Sequence, residues 1–157
     1  MAIIRGSRRG WEALKAKRRV PKNKMKCYED RGQRISDLGY AAYQEYLKSD
    51  DWKVIRNRKL AKCPDCILCE GKATQVHHLD YSYETILGLL DYRLVQMCGE
   101  CHGKIEFAGT RKRTVREATG ELYRLAAMTD RGKRWIEWTN HQKDIYKHKK
   151  KSRKNKK

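Results

Sequence analysis

Apolar residues recur at helical spacing in two stretches ahead of the cysteine-rich part of the chain. Positions three and four apart between Leu38 and Tyr46 predict one helix over residues 38–48. Ser49 then supplies an N-cap, and the two acids that follow it suit a first helical turn. A second helix should therefore run from there to about Lys62.

Short apolar runs bounded by turn residues occupy the middle of the chain, and this pattern predicts strands. Residues 74–77 and 94–97 form the two predicted strands, with residues 79–92 as a loop between them. A helix is expected over residues 101–107. These alternating elements predict an α+β fold with a small core flanked by helices.

Two further helices are predicted over residues 114–128 and from 133 to about 147. Trp135 and Trp138 share a face of the second, which favours packing within the protein over stacking on bases. Residues 147–157 are Lys-rich and predict a disordered tail. Residues 1–37 predict a basic arm, with a short helix around residues 11–18.

Positive charge is concentrated at both ends of the chain. The net charge is +19, and residues 1–34 contain twelve Lys or Arg against three acids. Residues 147–157 contain eight Lys or Arg and no acid. Such arms attract a polyanion through counterion release, so nucleic acid is the expected partner. Solubilising tails or a localisation signal remain the alternative, and an anionic membrane fits less well because neither arm has an amphipathic aromatic face.

The cysteines occur in pairs with two-residue gaps, which is typical of a tetrahedral zinc site. Cys98 and Cys101 form one pair, and Cys63, Cys66 and Cys69 offer two choices for the other. No signal peptide or membrane span is predicted, so metal binding is favoured over disulfides and a cytoplasmic location is expected. Zinc would replace part of a core that only 39% apolar residues can build.

Residues 98–102 also match the signature for c-type haem attachment. Haem attachment would leave the upstream cysteines without a role, so it is the weaker interpretation. Three of the five histidines accompany the cysteine pairs: His77 ends the first predicted strand, His78 follows it, and His102 follows Cys101 directly. A zinc site joining the pairs would bring these three imidazoles together.

This arrangement resembles the HNH endonucleases, which carry a ββα-metal motif of two strands and a helix. The resemblance is carried by residues 46–52, Cys66 to Cys69, residues 76–81 and residues 94–102, and it covers residues 46–107. In that family the second zinc cysteine precedes the first motif histidine by a characteristic interval. Cys69 fits that interval, which selects Cys66, Cys69, Cys98 and Cys101 as the zinc ligands.

The resemblance implies a role for each histidine. His78 would be the general base, while His77 and His102 would hold a catalytic divalent ion, either Mg²⁺, Mn²⁺, Ni²⁺ or Zn²⁺. Many relatives have another histidine one helical turn after the equivalent of His102, and Glu106 stands there in this chain. Glu106 is therefore either a third ligand or an ordinary solvated acid.

One position departs from the family pattern. The middle Asn of the motif is replaced by Arg93, and no Asn occurs between His78 and Cys98. Arg93 would either brace the loop that orients the base or contact phosphate. It also supports the alternative that the fold persists without the chemistry.

The sequence therefore predicts an HNH-type endonuclease that hydrolyses phosphodiester bonds of DNA, expected to be double-stranded and cut by nicking. The alternative is a non-catalytic, zinc-dependent nucleic-acid-binding protein. The predicted domains are an arm (1–37), an HNH nuclease domain (38–108), a helical extension (109–146) and the tail (147–157). No small-molecule cofactor is expected, and a homodimer or larger phage or mobile-element machinery remains open. The predicted nucleic-acid contacts are basic side chains: Arg93, Lys104, Arg111, Lys112, Arg113, Lys149, Lys150 and Lys151.

Overall fold

The computed structural model describes residues 27–154, which form an α+β fold of seven α-helices and two small antiparallel sheets. The elements in chain order are α1 (Cys27–Asp37), α2 (Tyr43–Lys48), α3 (Asp50–Lys62), β1 (Gln75–His78), α4 (Tyr83–Ile86), a 3-10 turn (Asp91–Arg93), β2 (Leu94–Met97), α5 (Gly99–Glu106), β3 (Phe107–Ala108), β4 (Arg111–Lys112), α6 (Val115–Ala126) and α7 (Asp130–Lys154). No helix in this part of the chain is both long and apolar enough to span a bilayer.

Strands β1 and β2 form an antiparallel hairpin that is followed at once by helix α5. In its register His77 lies opposite Val95 and His78 lies opposite Leu94. Because neighbouring residues of a strand face opposite sides, His77 and His78 project from opposite faces of the hairpin. Cys98 lies between β2 and α5 and is the N-cap of that helix.

The hairpin separates two apolar clusters of buried side chains. One face packs against α1 to α3, the segment after β1 and the first residue of α6 through Ile35, Tyr46, Trp52, Ile55, Val76, Tyr81, Ile86, Leu94 and Val115. The other face packs against α5 to α7 through Cys66, Ile67, Val95, Met97, Cys101, Ile105, Leu122, Ala126 and Trp135. Each histidine of the pair therefore faces a different cluster.

The observed helix caps confirm the predicted starts of two helices. The Ser49 side chain accepts a hydrogen bond from the Trp52 amide at 3.2 Å and begins α3 as predicted. Thr114 and Glu117 form a reciprocal capping box at the start of α6. Trp135 is buried as predicted, whereas Trp138 is 39% exposed.

The single helix predicted over residues 38–48 is wrong. Helix α1 ends at a left-handed Gly39 (φ 91°), and the Tyr40 amide donates to the Ile35 carbonyl at 3.2 Å. This is a glycine C-cap, so a new helix begins only at Tyr43. Residues 27–37 of the predicted arm are helical, with Ile35 only 1% exposed. The helix predicted around residues 11–18 lies outside the described residues.

Two other segments differ from prediction. Residues 79–92, predicted as a loop, contain α4 and most of the 3-10 turn, and they bury Ile86 and Leu90. The predicted disordered tail is helical as far as Lys154, because α7 continues without a Gly or Pro after Gly132. Residues 155–157 lie outside the described part.

Candidate metal and nucleic-acid site

Four cysteines converge where the chain enters β1 and leaves β2. Cys66, Cys69, Cys98 and Cys101 place their sulfurs within 4.8 Å of one another. The first pair lies in a turn, where the Cys66 amide donates to the Gly71 carbonyl at 2.6 Å. The second pair spans the first turn of α5. The two-residue gaps therefore do what the sequence predicted and bring the four thiols into one group.

The cluster has the dimensions of a zinc site. A tetrahedral Zn²⁺ with Zn–S bonds of about 2.3 Å separates its sulfurs by about 3.8 Å. The Sγ atoms of Cys69 and Cys98 are 3.6 Å apart. The Cys101 amide donates to Cys98 Sγ and lowers the pKa of Cys98 to about 7, which favours the thiolate that a metal requires. These four residues can therefore hold a metal ion.

Cys63 lies outside this group. It is the C-cap of α3 and is half-buried. Spacing alone allowed Cys66 to pair with either Cys63 or Cys69. The structure groups Cys66 and Cys69 with the other pair. With Cys98 and Cys101 in that cluster, the haem interpretation has little structural support.

A second cluster joins β1 to α5. His77 Nδ1 is 3.3 Å from His102 Nε2 and 3.6 Å from a carboxylate oxygen of Glu106. His102 Nε2 is 3.8 Å from the same oxygen. A cation about 2.1 Å from nitrogen and oxygen ligands separates tetrahedral donors by about 3.4 Å, so the three residues can hold one metal ion.

The sequence left Glu106 as either a ligand or a solvated acid. Its position one helical turn after His102 places both side chains on the face of α5 that meets His77. Its second carboxylate oxygen is 3.3 Å from Lys112 Nζ. The structure therefore brings Glu106 into the His77 and His102 cluster.

His78 lies on the opposite face of the hairpin in an aromatic pocket. Its ring stacks on Trp52 with centroids 4.6 Å apart, and Nδ1 is 3.3 Å from the Tyr43 hydroxyl. Tyr46 and Tyr81 complete the pocket. The side chain is only 4% exposed, and Nε2 has no hydrogen-bond partner among the described residues.

Burial dominates the electrostatics of all three histidines. It lowers the pKa of His78 to about 3, with the Arg31 guanidinium and His102 adding to the effect. It likewise lowers the pKa of His77 to about 3, helped by His102 and His78. The pKa of His102 is lowered by burial although Glu106 opposes the shift. All three imidazoles are therefore neutral at pH 7, which is the form that can bind a metal or accept a proton.

The three histidines line one cleft of about 560 Å³. Arg31 from α1, Arg56 from α3 and Lys112 from β4 also line it, and the only acid among its lining residues is Glu106. The Arg31 guanidinium lies over the rings of Tyr43 and Tyr81, at 4.2 and 5.0 Å from their centroids. The cleft thus combines a cluster that could hold a metal ion with cationic walls.

Arg93, at the position where the HNH resemblance expects an Asn, forms an ion pair with Asp80 and also donates to the Tyr92 hydroxyl. Asp80 in turn accepts hydrogen bonds from Ser82 and Thr85. The Arg93 carbonyl accepts from the Leu79 amide at 2.9 Å. Arg93 therefore braces the segment that follows His78, one of the two roles the sequence offered.

The basic residues predicted to contact nucleic acid do not lie together on one surface. Lys112 lines the histidine cleft, whereas Arg93, Lys150 and Lys151 line a separate groove beside α7. Arg113 donates to the carbonyls of Lys104 and Phe107, where it caps the end of α5. The remaining three line neither feature: Lys104 pairs with Glu100, Arg111 pairs with Glu117, and Lys149 is exposed on α7.

Sequence reasoning missed Arg31 and Arg56 as residues of the cleft. Arg56 lies one helical turn after Trp52, so the helical period of α3 could have shown that the two share a face. Arg31 carried no such signal, because residues 1–37 were interpreted as an arm. Comparison of the chain with protein-family models, with curated proteins and with solved structures finds no significant match.

Proposed function

We propose that this chain is a metal-dependent endonuclease of the HNH type that hydrolyses phosphodiester bonds of double-stranded DNA by nicking. One observation carries the proposal. The β1–β2–α5 unit brings His77, His102 and Glu106 within metal-binding distance, and His78 lines the same cleft. Two strands and a helix that present these residues are what the sequence resemblance implies.

In this proposal His77, His102 and Glu106 hold one divalent ion. When bound, the ion supplies Lewis acidity to the scissile phosphate and to the leaving oxygen. Imidazole ligands favour Mn²⁺, Ni²⁺ or Zn²⁺ over Mg²⁺. The carboxylate of Glu106 adds an oxygen ligand of the kind that hard cations such as Mg²⁺ and Mn²⁺ prefer. Lys112 Nζ lies 3.3 Å from the second carboxylate oxygen of Glu106, on the cationic side of the cleft.

His78 accepts the proton of the attacking water. Its imidazole is neutral in the free protein, and Tyr43 and Trp52 fix the orientation of the ring. A low pKa makes it a weak base on its own. The negative charge of a phosphate in the cleft favours the protonated form, so substrate binding raises the basicity of His78.

The cationic walls of the cleft hold the phosphate. Arg31 and Arg56 carry planar guanidinium groups suited to two oxygens of one phosphate, and Lys112 adds a point charge. The four-cysteine cluster lies outside the chemistry. It would bind the structural zinc that holds the start of β1 and the end of β2 to α5.

The burial of His78 favours a second candidate, a non-catalytic zinc-dependent protein that binds nucleic acid. A base that is 4% exposed has little access to water in the free protein. In this candidate the aromatic pocket is a packing feature and the cationic cleft holds a backbone phosphate without cutting it.

Plasmid nicking by the purified, zinc-loaded chain separates the two candidates. Nicking should appear with at least one of Mg²⁺, Mn²⁺, Ni²⁺ or added Zn²⁺, and His78→Ala should lower its rate by about 10²-fold or more. DNA affinity should stay within a few-fold of the unmodified chain.

His141→Ala is the matched control, because His141 is an exposed histidine on α7 away from the cleft. Its nicking rate should equal that of the unmodified chain. Undiminished nicking in His78→Ala would remove that residue as the base. Tight DNA binding without nicking in any of the four metals would establish the second candidate.

A further inference from the structure

A second positively charged depression lies between the 3-10 turn before β2 and the long helix α7. It encloses about 430 Å³ and is lined by Arg93, Lys143, Tyr146, Lys147, Lys150 and Lys151. We call it the basic groove. None of its lining residues lines the histidine cleft, so it is a separate feature of the surface.

Cations outnumber acids around the basic groove. Five of its six lining residues are basic, and residues 143–154 contain seven Lys or Arg against Asp144 alone. Asp144 pairs with Lys147 at 3.2 Å, and Arg93 is paired with Asp80. The groove therefore retains an excess of positive charge after its internal pairs are counted.

The wall of the groove is held in place by packing. The Tyr146 hydroxyl donates to Glu84 at 3.1 Å, which fastens the middle of α7 to the segment between β1 and β2. Lys143 contacts the Tyr123 hydroxyl at 2.9 Å, and Lys150 Nζ lies 5.8 Å from the Tyr146 ring centroid. The cations are thus presented on a fixed helix, which lowers the entropic cost of binding an anion.

The spacing of the lysines suits a repeating polyanion. Lys143, Lys147 and Lys150 follow one face of the helix and span about 10 Å along its axis at 1.5 Å per residue. A strand of duplex DNA carries one phosphate per about 3.4 Å of axis, so this row matches about three phosphates. A single phosphate would not use the length of the groove.

The groove also adjoins the histidine site through the backbone. Arg93 directly precedes Leu94, whose partner across the hairpin is His78. Arg93 therefore has its backbone beside the strand ends that carry the histidines and its side chain in the groove wall. A nucleic acid with one phosphate in the cleft can extend toward the groove along this part of the surface.

We propose that the basic groove binds the phosphodiester backbone of the DNA on one side of the bond held in the histidine cleft. The inference rests on the proposed function for its substrate and adds a second contact region on the same strand or its complement. An anionic lipid surface fits less well, because residues 147–154 contain no apolar side chain to enter a bilayer.

The test compares two double variants of equal charge in the zinc-loaded His78→Ala chain. Lys147→Gln/Lys150→Gln removes two cations of the groove. Lys53→Gln/Lys133→Gln removes two exposed lysines, each of which, like Lys147, pairs with an Asp three residues earlier. The dissociation constant for a duplex of about 20 base pairs is measured against salt concentration, without a second divalent ion.

The groove variant should weaken binding at least tenfold and reduce the salt slope by about two, since each lost phosphate contact contributes about 0.9 to it. The control should change the affinity less than threefold. Equal losses in both variants, or no loss in either, would overturn the proposal. So would a groove variant that loses binding to phosphatidylserine vesicles and keeps binding to the duplex.

The two double variants are also made in the chain that keeps His78, and their DNA binding and nicking are measured. This comparison separates the groove inference from the proposed function. If no metal supports nicking while the groove variant alone weakens binding, the endonuclease proposal fails and the groove stands as a DNA-binding site. If nicking occurs and both double variants bind and cut alike, the endonuclease stands and the groove proposal fails.

Discussion

His78 is the residue where the requirements of packing and of chemistry differ most. Stacking on Trp52 and contact with Tyr43 orient the ring, but they also remove it from water. Removal from water lowers the pKa of His78 to about 3, well below the usual value near 6.5. The same contacts that would position a general base therefore make the folded protein sensitive to acid.

The direction of that sensitivity follows from linkage. Since the folded pKa is depressed, the unfolded chain binds more protons at this histidine as pH falls below about 6.5. The stabilising contribution is complete above that pH and decreases toward pH 3. Between pH 7 and pH 5 the free energy of unfolding should therefore fall by up to about 2 kcal/mol more in the unmodified chain than in His78→Gln.

Urea unfolding of the two zinc-loaded proteins at several pH values measures this difference. Acid release of zinc affects both proteins and cancels in the comparison. Parallel stability curves would show that His78 is not buried in its neutral form.

At this scale the sequence predicted which cysteines and histidines come together in groups that could hold a metal ion, and it left Glu106 open as a ligand or a solvated acid. The four cysteines and the histidines carry the signal in their own spacing, and Glu106 follows from the period of a helix. Arg31 and Arg56 could not be assigned, because they reach the cleft only through the packing of α1 and α3 beside the hairpin. No local pattern encodes that approach.

Among the elements, the junction between α6 and α7 depends on a glycine. Gly132 lies in the first turn of α7, and a Cβ at this position would overlap the backbone of Ala126 at the end of α6. The absence of a side chain lets the two helices approach closely. This approach buries Trp135 against Tyr123, with ring centroids 5.2 Å apart.

Gly132→Ala should destabilise the protein by about 1–3 kcal/mol, because the added methyl group forces the two helices apart. Gly120→Ala is the matched control, since Gly120 is an exposed residue of α6 with no atom within 4 Å of a Cβ. That change should instead stabilise by about 0.5–1 kcal/mol through helix propensity. Thermal unfolding of both variants decides the matter, and a stabilising Gly132→Ala would contradict the close approach.

The helices show where pattern alone succeeds and where it fails. Ser49 and Thr114 mark helix starts by their own side chains, so α3 and α6 were predictable. The break at Gly39 was missed because apolar positions on both sides of it suggested a continuous period. The length of α7 was underestimated because a run of lysines suggested disorder, whereas Tyr146 fastens the helix to the domain.

For the whole molecule, the two apolar clusters are small and the hairpin between them has only four residues in each strand. The four-cysteine cluster joins segments about thirty residues apart at the base of that hairpin. A structural zinc contributes on the order of 10 kcal/mol, which is comparable to the entire stability of a small domain. Folding should therefore require the metal.

Cys98→Ser should bind one zinc fewer than the unmodified chain and lose the cooperative unfolding transition, whereas Cys63→Ser should keep the zinc content and the unfolding temperature of the unmodified chain. Metal analysis and circular dichroism report both properties. An unchanged zinc content in Cys98→Ser, or a lower one in Cys63→Ser, would show that the cluster was assigned to the wrong thiols.

The adjacency of His77 and His78 on one strand has a consequence for how the fold must be assembled. Sliding β1 by a single residue along β2 would carry each imidazole to the opposite face and exchange their partners. A metal ion held by the thiols at the open end of the hairpin would prevent such a slip, because it would tie the chain before β1 to the residue that follows β2. A metal bound far from the imidazoles would thereby decide which of them meets the carboxylate and which meets the indole.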